Sequence, residues 1–596
     1  MSRIVVEFDA KRKKFVLTCP FHQNGVVKGF PAKRFNMKAK NWDITACRQN
    51  VDEMKRLLAG GHIIVDAKVV AELEKITIKS EPPEAVPMPA GFQFKTEAMG
   101  HQFDYLQGFH AAKISAVFAE MGTGKSKMAC DRAALLHFRK CIDGMIIFCP
   151  VSVRSNWVDE IRGHLPIDLG KWKYDGEQWH NSSVFVADFS STTAERKFEK
   201  FLTSDSEFKV LIVGTESLSQ GAGKGKAYNA VMRFAQAVRS AQTVDEAHQI
   251  KGEDSTRALN VVELGKLSEY KAVMTGTPIL QSVLDMFMYF KYLDPMVIGL
   301  DDFYSFKNRY ALLSDDGFNR IVGYDNLEEL MTAVRPHVFT CLKADVLKNL
   351  PPKTYTTIDV ELTKEQREAY NDIKKKKLWT NGTVEVEIKN ALQKYSAMQT
   401  IVSGFINYDD VEKTALAESS KMIRSRQVLC DHTNAPKIVA MVEFLKTAPH
   451  KACIIWSRYD YEIDMAMAAL QLAFGDGCAV KFTGALKAGV ARDAAKNDFL
   501  SGKHKYFVAN QATGGVGLTL NVADLTLYLS NTFRLLDRVQ SEDRNHRKGQ
   551  ESNVLYADFL ARGTVDRDII TAIREKKDLA DWVRDRMSSC EPMAIF

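Results

Sequence analysis

The sequence predicts an α/β protein built on parallel sheets, with two α/β blocks on either side of a mainly helical middle. In both blocks, short apolar segments rich in Val, Ile and Phe alternate with stretches of helical composition. A polar or glycine-containing loop follows each apolar segment, an alternation typical of parallel sheets covered by helices. The expected strands are Met145–Cys149, Val184–Ala187, Val210–Val213, Thr243–Asp245 and Ala272–Thr275 in the first block, and Cys453–Trp456, Val480–Phe482, Tyr506–Ala509, Leu525–Leu529 and Val554–Phe559 in the second.

The length of 596 residues predicts several domains, at about 150 residues per domain. A segment holding four of the 16 prolines separates a small N-terminal α+β module from the rest. The module carries two alternating segments, Ile4–Phe8 and Lys14–Thr18, and a helical pattern around Val51–Leu58. The middle region includes the helical segments Glu365–Lys377 and Ala391–Ile406. The expected domains are 1–80 (module), 81–92 (linker), 93–299 (first lobe), 300–435 (helical insertions and connection), 436–575 (second lobe) and 576–596 (C-terminal helix).

Composition excludes several classes of protein. Hydrophobic residues make up 45% of the chain and charged residues 26%, which argues against disorder, collagen and a coiled coil. No apolar run approaches the roughly 18 residues that span a bilayer, so we expect an intracellular protein with no membrane partner. The ten cysteines include no CxxC pair and indicate reduced thiols. Cys19 and His22 have metal-like spacing, but no second pair completes a site.

Positive charge is concentrated at the N-terminus. Residues 1–40 hold ten Lys or Arg against two acidic residues, a charge of +8, so the remaining residues sum to −1 and the whole chain carries +7. This distribution suggests a polyanion such as nucleic acid, while a solvated basic face explains it equally well. The candidate phosphate contacts in the module are Lys13, Lys14, Lys33, Arg34 and Lys38.

The segment Ala119–Ser126, AEMGTGKS, has the spacing of a phosphate-binding loop. Glycines let backbone N–H groups point into a concavity around phosphates, and a following Lys and Ser can bind phosphate and Mg²⁺. The alternative is an ordinary glycine loop. The candidate nucleotide-binding residues are Met121, Gly122, Thr123, Gly124, Lys125 and Ser126.

Two further motifs carry charged groups suited to phosphoryl chemistry. Asp245-Glu246-Ala247-His248 follows an expected strand, where the Asp can hold Mg²⁺ and the Glu can activate water. The alternative is a charged loop. In QSEDRNHRKGQ (540–550), Arg544 and Arg547 would share a helix face and could stabilise transition-state charge on a γ-phosphate. Taken alone, this segment is better explained as an exposed basic helix.

In combination, these motifs resemble the Swi/Snf-type ATPases, a branch of the superfamily-two helicases and DNA translocases. The resemblance runs from about residue 93 to residue 575, with the motifs in the family's order. It departs from the family at Phe339-Thr340-Cys341, at Asn434-Ala435-Pro436 and at Ser530–Leu535. The other segments that carry it are FCPVSVRSNWVDEI (148–161), IVGTESL (212–218), MTGTPILQSVLDMF (274–287), FYSFKNRY (303–310), LKADVLKNLP (342–351), ACIIWSRYD (452–460) and ATGGVGLTLNVAD (512–524).

The resemblance implies two RecA-like lobes and ATP with Mg²⁺ as cofactors. Lys125 would bind phosphates, Ser126 and Asp245 would hold the metal, and Glu246 would activate water. Gln102 lies where the family has an adenine-reading glutamine. Arg544 and Arg547 would complete the site from the second lobe. The backbone of a DNA strand would be contacted through Thr215, Ser217, Thr513, Gly514 and Gly515.

The N-terminal segment VKGFPAKRFNMKAKNWDI (27–44) resembles the HARP domain of annealing helicases, which rewind and regress branched DNA. In this segment Phe35 and Trp42 could stack on unpaired bases, although packing in a small core explains Trp42 at least as well. The resemblance implies a monomeric double-stranded-DNA translocase that remodels branched DNA. The compact length fits a bacterial or viral setting, and the expected compartment is a bacterial or virus-infected cytoplasm or nucleoid, or a nucleus. The alternatives are a translocase that displaces bound proteins, an RNA helicase, and a non-catalytic DNA-binding scaffold.

Overall fold

The computed structural model of the chain describes residues 4–9, 14–19, 24–27, 30, 33–37, 39–45, 48–76, 86–175, 179–220, 224–276, 282–314, 321–347, 350–381, 384–412, 421–484, 486, 490–511, 518–547 and 549–588. These residues fall into two compact units. The first comprises Met1–Val346 and the end of the last helix from Ala580 on, and the second comprises Leu347–Leu579. Among the described residues, no helix has the length and apolar character needed to cross a membrane.

The N-terminal module is an α+β fold, as predicted. Its five-stranded sheet has the order β3-β4-β2-β1-β5, with β5 parallel to β1 and the other neighbours antiparallel. Val6, Phe15, Leu17 and Met54 are buried in its core. The elements are β1 (Ile4–Asp9), β2 (Lys14–Thr18), α1 (Asn24–Val27), β3 (Lys33–Asn36), β4 (Asn41–Thr45), α2 (Arg48–Ala59), β5 (Ile63–Val65) and α3 (Ala67–Ile76).

The remainder of the first unit contains a seven-stranded sheet with the order β10-β11-β7-β12-β13-β6-β16, in which every neighbouring pair is parallel. Its strands are β6 (Ile114–Ala119), β7 (Gly144–Cys149), β10 (Val184–Ala187), β11 (Lys209–Gly214), β12 (Ser240–Asp245), β13 (Lys271–Thr275) and β16 (Val338–Cys341). Two hairpins lie outside the sheet, β8 (Lys173–Tyr174) with β9 (Trp179–His180), and β14 (Ala311–Leu313) with β15 (Ile321–Tyr324).

The helices of this unit follow the strands along the chain. Apolar side chains of the strands and helices form its core, which includes Leu135, Ile147 and Trp157. The helices are α4 (Gly100–Phe109), α5 (Lys125–Phe138), α6 (Arg154–His164), α7 (Ala194–Leu202), α8 (Lys226–Ala237), α9 (Thr256–Gly265), α10 (Met286–Leu293), α11 (Pro295–Ile298), α12 (Phe303–Tyr310), α13 (Leu327–Val334) and α14 (Lys343–Val346).

The second unit contains a six-stranded sheet with the order β17-β26-β25-β22-β24-β23, again parallel throughout. Its strands are β17 (Lys353–Val360), β22 (Cys453–Ser457), β23 (Ala479–Phe482), β24 (Tyr506–Asn510), β25 (Leu525–Tyr528) and β26 (Val554–Ala561). Two hairpins are separate, β18 (Leu378–Thr380) with β19 (Glu385–Glu387), and β20 (Phe405–Glu412) with β21 (Lys421–Val428). The helices are α15 (Lys364–Lys376), α16 (Ala391–Val402), α17 (Pro436–Thr447), α18 (Asp460–Phe474), α19 (Val490–Leu500), α20 (Leu535–Glu542) and α21 (Val565–Ser588).

The predicted α/β class and all the predicted strands are confirmed, but the domain bounds differ. The middle region is not mainly helical, since β16 forms an edge of the first sheet and β17 an edge of the second. The strand β6, which leads into the glycine loop, was not predicted. Of the predicted linker, residues 81–85 lie outside the described part, while Met88 and Phe92 pack against the core of the first unit. The C-terminal helix starts at Val565 rather than at residue 576.

Candidate functional site

The loop between β6 and α5 is shaped by its glycines. Gly122 has φ +85° and Gly124 has φ +84°, the left-handed region that other residues rarely adopt. A Cβ built at Gly124 would lie 2.2 Å from the Nε2 atom of Gln102, so any other residue there would have to displace the Gln102 amide. The Thr123 hydroxyl donates to the Glu120 carbonyl at 2.8 Å and closes the turn from within. The loop therefore has the backbone form that the sequence predicted for binding phosphates.

The first turn of α5 presents backbone N–H groups to this loop. Its N-cap residue is Gly124, which has no side chain to accept them, and its first turn contains no acidic residue. A helix N-terminus with that arrangement favours an anion. The ammonium of Lys125 donates to the carbonyl of Ala119 at 3.0 Å and lies at the loop. Lys125, Ser126 and the loop amides are therefore brought together as predicted.

Gln102 lies at this loop, but its amide is engaged by the protein backbone. Its Oε1 accepts the N–H of Met99 at 3.0 Å, and its Nε2 donates to the carbonyl of Thr123 at 3.2 Å. His101 lies 2.7 Å from the same carbonyl through Nε2. The side chain of Gln102 is buried and links the start of α4 to the phosphate loop. The predicted role of reading adenine therefore requires exchange of at least one of these bonds.

Asp245 ends β12, two strands away from β6 in the sheet. Its carboxylate accepts the indole N–H of Trp157 at 2.9 Å and the N–H of Glu246 at 2.9 Å. Burial and the neighbouring charge of Glu246 raise the pKa of Asp245 to about 6, while Lys125 and the Trp157 hydrogen bond act in the opposite direction. The charge of Lys125 and the Trp157 hydrogen bond thus favour the ionised carboxylate against burial and the charge of Glu246.

Glu246 has a left-handed backbone, with φ 49° and ψ 56°. That conformation costs an L-residue with a Cβ about 1–2 kcal/mol, and such strain is concentrated at functional sites. His248 is buried, and its Nδ1 lies 3.3 Å from a carboxylate oxygen of Glu246. The strained turn sets the direction of the Glu246 side chain immediately after the carboxylate of Asp245.

The segment after β13 lies against the phosphate loop. A Cβ built at Gly276 would lie 3.3 Å from the backbone N of Met121, so a larger residue would press on the loop. Gly276 belongs to the segment MTGTPILQSVLDMF, of which residues 277–281 lie outside the described part of the chain. Within the first unit, the ends of β6, β12 and β13 therefore bring together the loop, the two carboxylates and the segment that starts at Gly276.

The oxygen donors of this site suit Mg²⁺. Magnesium is held in nucleotide sites by one or two hard oxygen ligands together with phosphate oxygens and water. Ser126 and Asp245 are the predicted ligands, a hydroxyl and an ionised carboxylate. No group of three or more His, Cys, Asp or Glu side chains able to hold a metal occurs among the described residues, so a protein-only cage is absent from that part.

The arginine segment of the second unit differs from the prediction. Helix α20 ends at Glu542, so Arg544 and Arg547 lie in the turns that follow it rather than on a helix face. Arg544 is fully buried, and its guanidinium donates to the carbonyls of Gln540 at 2.9 Å and Leu518 at 3.1 Å. Its expected contact with a γ-phosphate stays a prediction, and it would require these two hydrogen bonds to break.

Arg547 keeps partial exposure. Its Nη1 donates to the hydroxyl of Thr519 at 2.9 Å, and its Nε donates to the carbonyl of Asp543 at 2.8 Å. Burial lowers the pKa of Arg547, and the charge of Asp543 raises it. Since Leu518 and Thr519 are neighbours, both arginines reach back to the same segment. Of the two, Arg547 remains the candidate for a catalytic arginine.

The predicted DNA contacts have different outcomes. Thr215 is fully buried and its hydroxyl donates to Glu216 at 3.2 Å, and its predicted contact with the DNA backbone stays a prediction. Ser217 is half-buried in the same turn and stays a prediction. Thr513, Gly514 and Gly515 lie outside the described residues.

The basic residues of the module do not share one face. Strand pairing places Lys33 on the face of the core, opposite Ile44, and Lys14 on the other face, opposite Thr45. The ammonium of Lys33 donates to the carbonyl of Phe30 at 2.7 Å, and burial lowers the pKa of this lysine. Arg34 lies in β3, whereas Lys13 and Lys38 are outside the described part of the chain.

Phe35 and Trp42 face each other across β3 and β4, with ring centroids 5.0 Å apart. Trp42 is half-buried against the core of the module, which agrees with its predicted packing role. Phe35 lies at the sheet edge and is 40% exposed. The aromatic surface of this hairpin therefore belongs mainly to Phe35.

Sequence reasoning missed the contacts of Glu120. Its N–H donates to the carbonyl of Cys341 at 3.0 Å, and its carboxylate accepts the N–H of Lys343 at 2.7 Å. These bonds join the phosphate loop to a segment far away in the sequence. Lys343 lies in LKADVLKNLP, one of the segments that carried the resemblance, but no role for it was predicted.

Comparison with known proteins places this geometry in a family. The SNF2-related domain matches residues 51–409. The chain is similar to ATP-dependent helicase fft1 of Schizosaccharomyces pombe, at 22% identity over 77% of this chain and 50% of that protein. It is also similar to chromodomain-helicase-DNA-binding protein 1-like of Mus musculus, at 23% identity over 80% of this chain and 48% of that protein.

The chain thus spans about half the length of these curated relatives. Among solved structures, it is similar to the Sulfolobus solfataricus SWI2/SNF2 ATPase core in complex with dsDNA. That similarity has 17% identity and a TM-score of 0.37, and it covers 85% of this chain and 97% of the other.

Proposed function

The chain belongs to the SNF2-related family, and on that premise we propose that it is an ATPase that moves along double-stranded DNA. The observation that carries the proposal is the joint placement of the phosphate loop, Lys125, Asp245 and Glu246 at one end of the first sheet. Relatives named as an ATP-dependent helicase and as a chromodomain-helicase-DNA-binding protein support the same activity.

ATP binding follows from the loop and the helix that it precedes. The loop amides and the first-turn N–H groups of α5 bind phosphate oxygens, and Lys125 exchanges its bond to the Ala119 carbonyl for a charge-assisted bond to phosphate. Mg²⁺, held by Ser126 and Asp245, neutralises phosphate charge when bound. Asp245 is kept in place for that role by Trp157 and by the N–H of Glu246.

Hydrolysis requires a water oriented toward the γ-phosphorus. Glu246 first accepts a hydrogen bond from this water and then takes its proton. The water oxygen bonds to the γ-phosphorus as the bond between that phosphorus and the ADP oxygen breaks. The left-handed turn at Glu246 holds the carboxylate next to Asp245. Arg547 supplies positive charge to the transition state in this proposal, after release from the Thr519 hydroxyl.

A panel of nucleic acids tests this function. Hydrolysis of ATP is measured with no nucleic acid and with duplex DNA, single-stranded DNA, a DNA fork and duplex RNA. We expect duplex DNA or the fork to stimulate the rate, and Lys125→Ala and Glu246→Gln each to abolish it, with Glu246→Gln still binding ATP. Stimulation by RNA alone would favour an RNA helicase, and undiminished turnover in both variants would remove the site assignment.

The finer proposal is that the motor remodels branched DNA through its N-terminal module. It is supported by the HARP-like sequence and by the exposed ring of Phe35, which can stack on an unpaired base. A second candidate, displacement of bound proteins from plain duplex, would show no preference for junctions.

Phe35→Ala tests the module. Loss of one base-stacking ring weakens binding by about tenfold, so we expect that loss for a fork and little change for plain duplex. Val5→Ala is the matched control, because Val5 is 42% exposed on the opposite face of the same sheet. Binding is measured by fluorescence anisotropy. Equal fork affinity in wild type and Phe35→Ala would leave the plain-duplex translocase as the better proposal.

A further inference from the structure

A second lysine lies at the phosphate loop of the first unit. Strand β16 runs parallel to β6, with Cys341 opposite Ala119, so both strands end at the same level. The chain leaving β16 therefore passes beside the chain entering the loop. The Glu120–Cys341 bond and the bond from the Lys343 N–H to the Glu120 carboxylate hold the two segments together.

The side chain of Lys343 extends along the loop. It is buried, and its Cε lies 3.8 Å from the position that a Cβ would occupy at Gly122. Gly122 has φ +85° and no side chain, which leaves room for the lysine stem. A cation at the end of that stem is thus placed at a loop whose amides are arranged for an anion.

We propose that Lys343 is a second phosphate-binding lysine of this site, acting beside Lys125. This proposal rests on the proposed ATPase function, since it adds a ligand to the same nucleotide. Bound nucleotide brings several negative charges to Gly122, and the ammonium of Lys343 gives them a charge-assisted hydrogen bond. The carboxylate of Glu120 holds the backbone of Lys343 and so fixes the origin of its side chain.

Lys343 lies close to the connection between the two units, so its contact with phosphate would affect that connection. The first unit ends at Val346, three residues farther along the chain, and Leu347 begins the second. A bond between Lys343 and phosphate would therefore make the start of the connection between the units sensitive to the nucleotide in the loop.

The test measures the affinity of the full-length protein for fluorescent ATP and ADP analogues with Mg²⁺. Lys343→Met removes the charge and keeps the stem. Lys271→Met is the matched control, because Lys271 is a partly buried lysine of the same unit at the opposite end of its sheet, where it donates to the Tyr292 carbonyl. Lys125→Ala reports on the proposed nucleotide site itself, and circular dichroism checks that each variant is folded.

We expect Lys343→Met to weaken ATP binding by about tenfold or more, as for loss of a hydrogen bond to a charged group, and Lys271→Met to leave it unchanged. A loss for ATP alone places the ammonium at the γ-phosphate, and a loss for both nucleotides places it at the β-phosphate. Either result supports the proposal. If Lys343→Met binds ATP with wild-type affinity, the proposal for Lys343 is overturned. If Lys125→Ala loses binding in the same experiment, the proposed function still stands.

Glu120→Gln separates a ligand from a structural residue. The amide still accepts the N–H of Lys343, and one negative charge near the phosphates is removed. If Lys343 binds phosphate, ATP affinity is unchanged or higher in Glu120→Gln. A fall in affinity as large as that of Lys343→Met would show that the ammonium acts through the negative charge of Glu120 and not on phosphate, and the proposal is overturned. Absence of nucleotide binding in the wild type would instead contradict the proposed function.

Discussion

The phosphate loop of the first unit and the arginine segment of the second (residues 540–550) are organised in opposite ways. The loop is shaped by backbone, through two left-handed glycines and hydrogen bonds to carbonyls. The arginine segment is held by side chains, since Arg544 donates to two carbonyls and Arg547 donates to the Thr519 hydroxyl and the Asp543 carbonyl. The loop is therefore ready for an anion, whereas most of the positive charge in the second segment is used internally.

This difference explains why two motifs of similar charge need different amounts of rearrangement before they can bind phosphate. A backbone anion site is fixed by its turn, so phosphate binding at this loop requires only local exchanges such as that of the bond from Lys125 to the Ala119 carbonyl. A buried guanidinium must first break hydrogen bonds that leave carbonyls without partners, which costs free energy. Arg547 is partly exposed and donates to one carbonyl and one hydroxyl, whereas Arg544 donates to two carbonyls, so Arg547 loses less on moving to a ligand.

The largest effect is expected for Arg547→Ala. Loss of a catalytic arginine lowers turnover by about a thousandfold or more, with little change in the free energy of unfolding. Arg544→Ala, in contrast, should lower the free energy of unfolding by about 3 kcal/mol, because a buried side chain and its hydrogen bonds are lost. ATP turnover and urea unfolding are measured for both variants. If Arg544→Ala is as stable as wild type, the contrast between the two arginines fails.

A smaller effect concerns Glu542, which lies between Lys353 (Nζ–Oε2 3.0 Å) and Arg538 (Nε–Oε1 2.7 Å). Burial by itself would raise the pKa of Glu542, but these two cations outweigh it and lower the pKa to about 2. A lowered pKa means that the stabilisation is present above the unfolded value of about 4.3 and is lost as the pH falls toward 2.

Glu542→Gln should therefore lower the free energy of unfolding by about 3 kcal/mol at pH 7, and by progressively less below pH 4. Urea unfolding at pH 7, 4 and 3 measures this difference. Glu443→Gln is the control, since Glu443 forms an exposed ion pair with Lys446 and should change stability by less than about 1 kcal/mol. A pH-independent difference would show that the charges of the second segment are not coupled in this way.

The smallest effect is expected for a substitution in the phosphate loop, and it tests the contact between Gly124 and Gln102. Gly124→Ala adds the strain of a left-handed residue and displaces Gln102, for an expected loss of about 2 kcal/mol in stability together with weaker ATP binding. Gly91→Ala is the matched control, because Gly91 has φ +86° but no atom within 4 Å of its Cβ position. Thermal unfolding and ATP titration of both variants separate backbone strain from the Gln102 contact. Equal losses in the two variants would remove any role for that contact.

Local sequence was sufficient to predict the elements whose conformation depends mainly on neighbouring residues. The apolar alternation predicted the strands from Met145 to Ala272 and from Cys453 to Val554, since a central parallel strand is apolar on both faces. The glycine spacing predicted the loop, because φ near +85° is rare for any other residue. In both cases the information lies within about ten neighbouring residues.

Two of the four edge strands in the large sheets, β16 and β17, were missed because they lack this local signal, whereas the edge strands β10 and β23 were predicted. Strand β17 is KTYTTIDV, and most of its side chains are exposed or half-exposed, so it lacks the apolar run of a central strand. Strand β16 is only four residues long, and its pairing with β6 depends on residues more than two hundred positions earlier. Pairing at an edge is decided by what the neighbouring strand leaves open.

The sequence by itself determined the α/β class, the order of the motifs and the chemical identity of the loop, Asp245 and Glu246. Only the tertiary structure decided that Arg544 is buried, that Gln102 is bonded to the loop, and that Lys343 lies against Gly122, although its hydrogen-bond partner Glu120 is 223 residues away. Local backbone conformation depends on short stretches of residues and can be predicted from them. Whether a charged side chain faces a ligand or a carbonyl depends on segments that meet only after the sheets have formed.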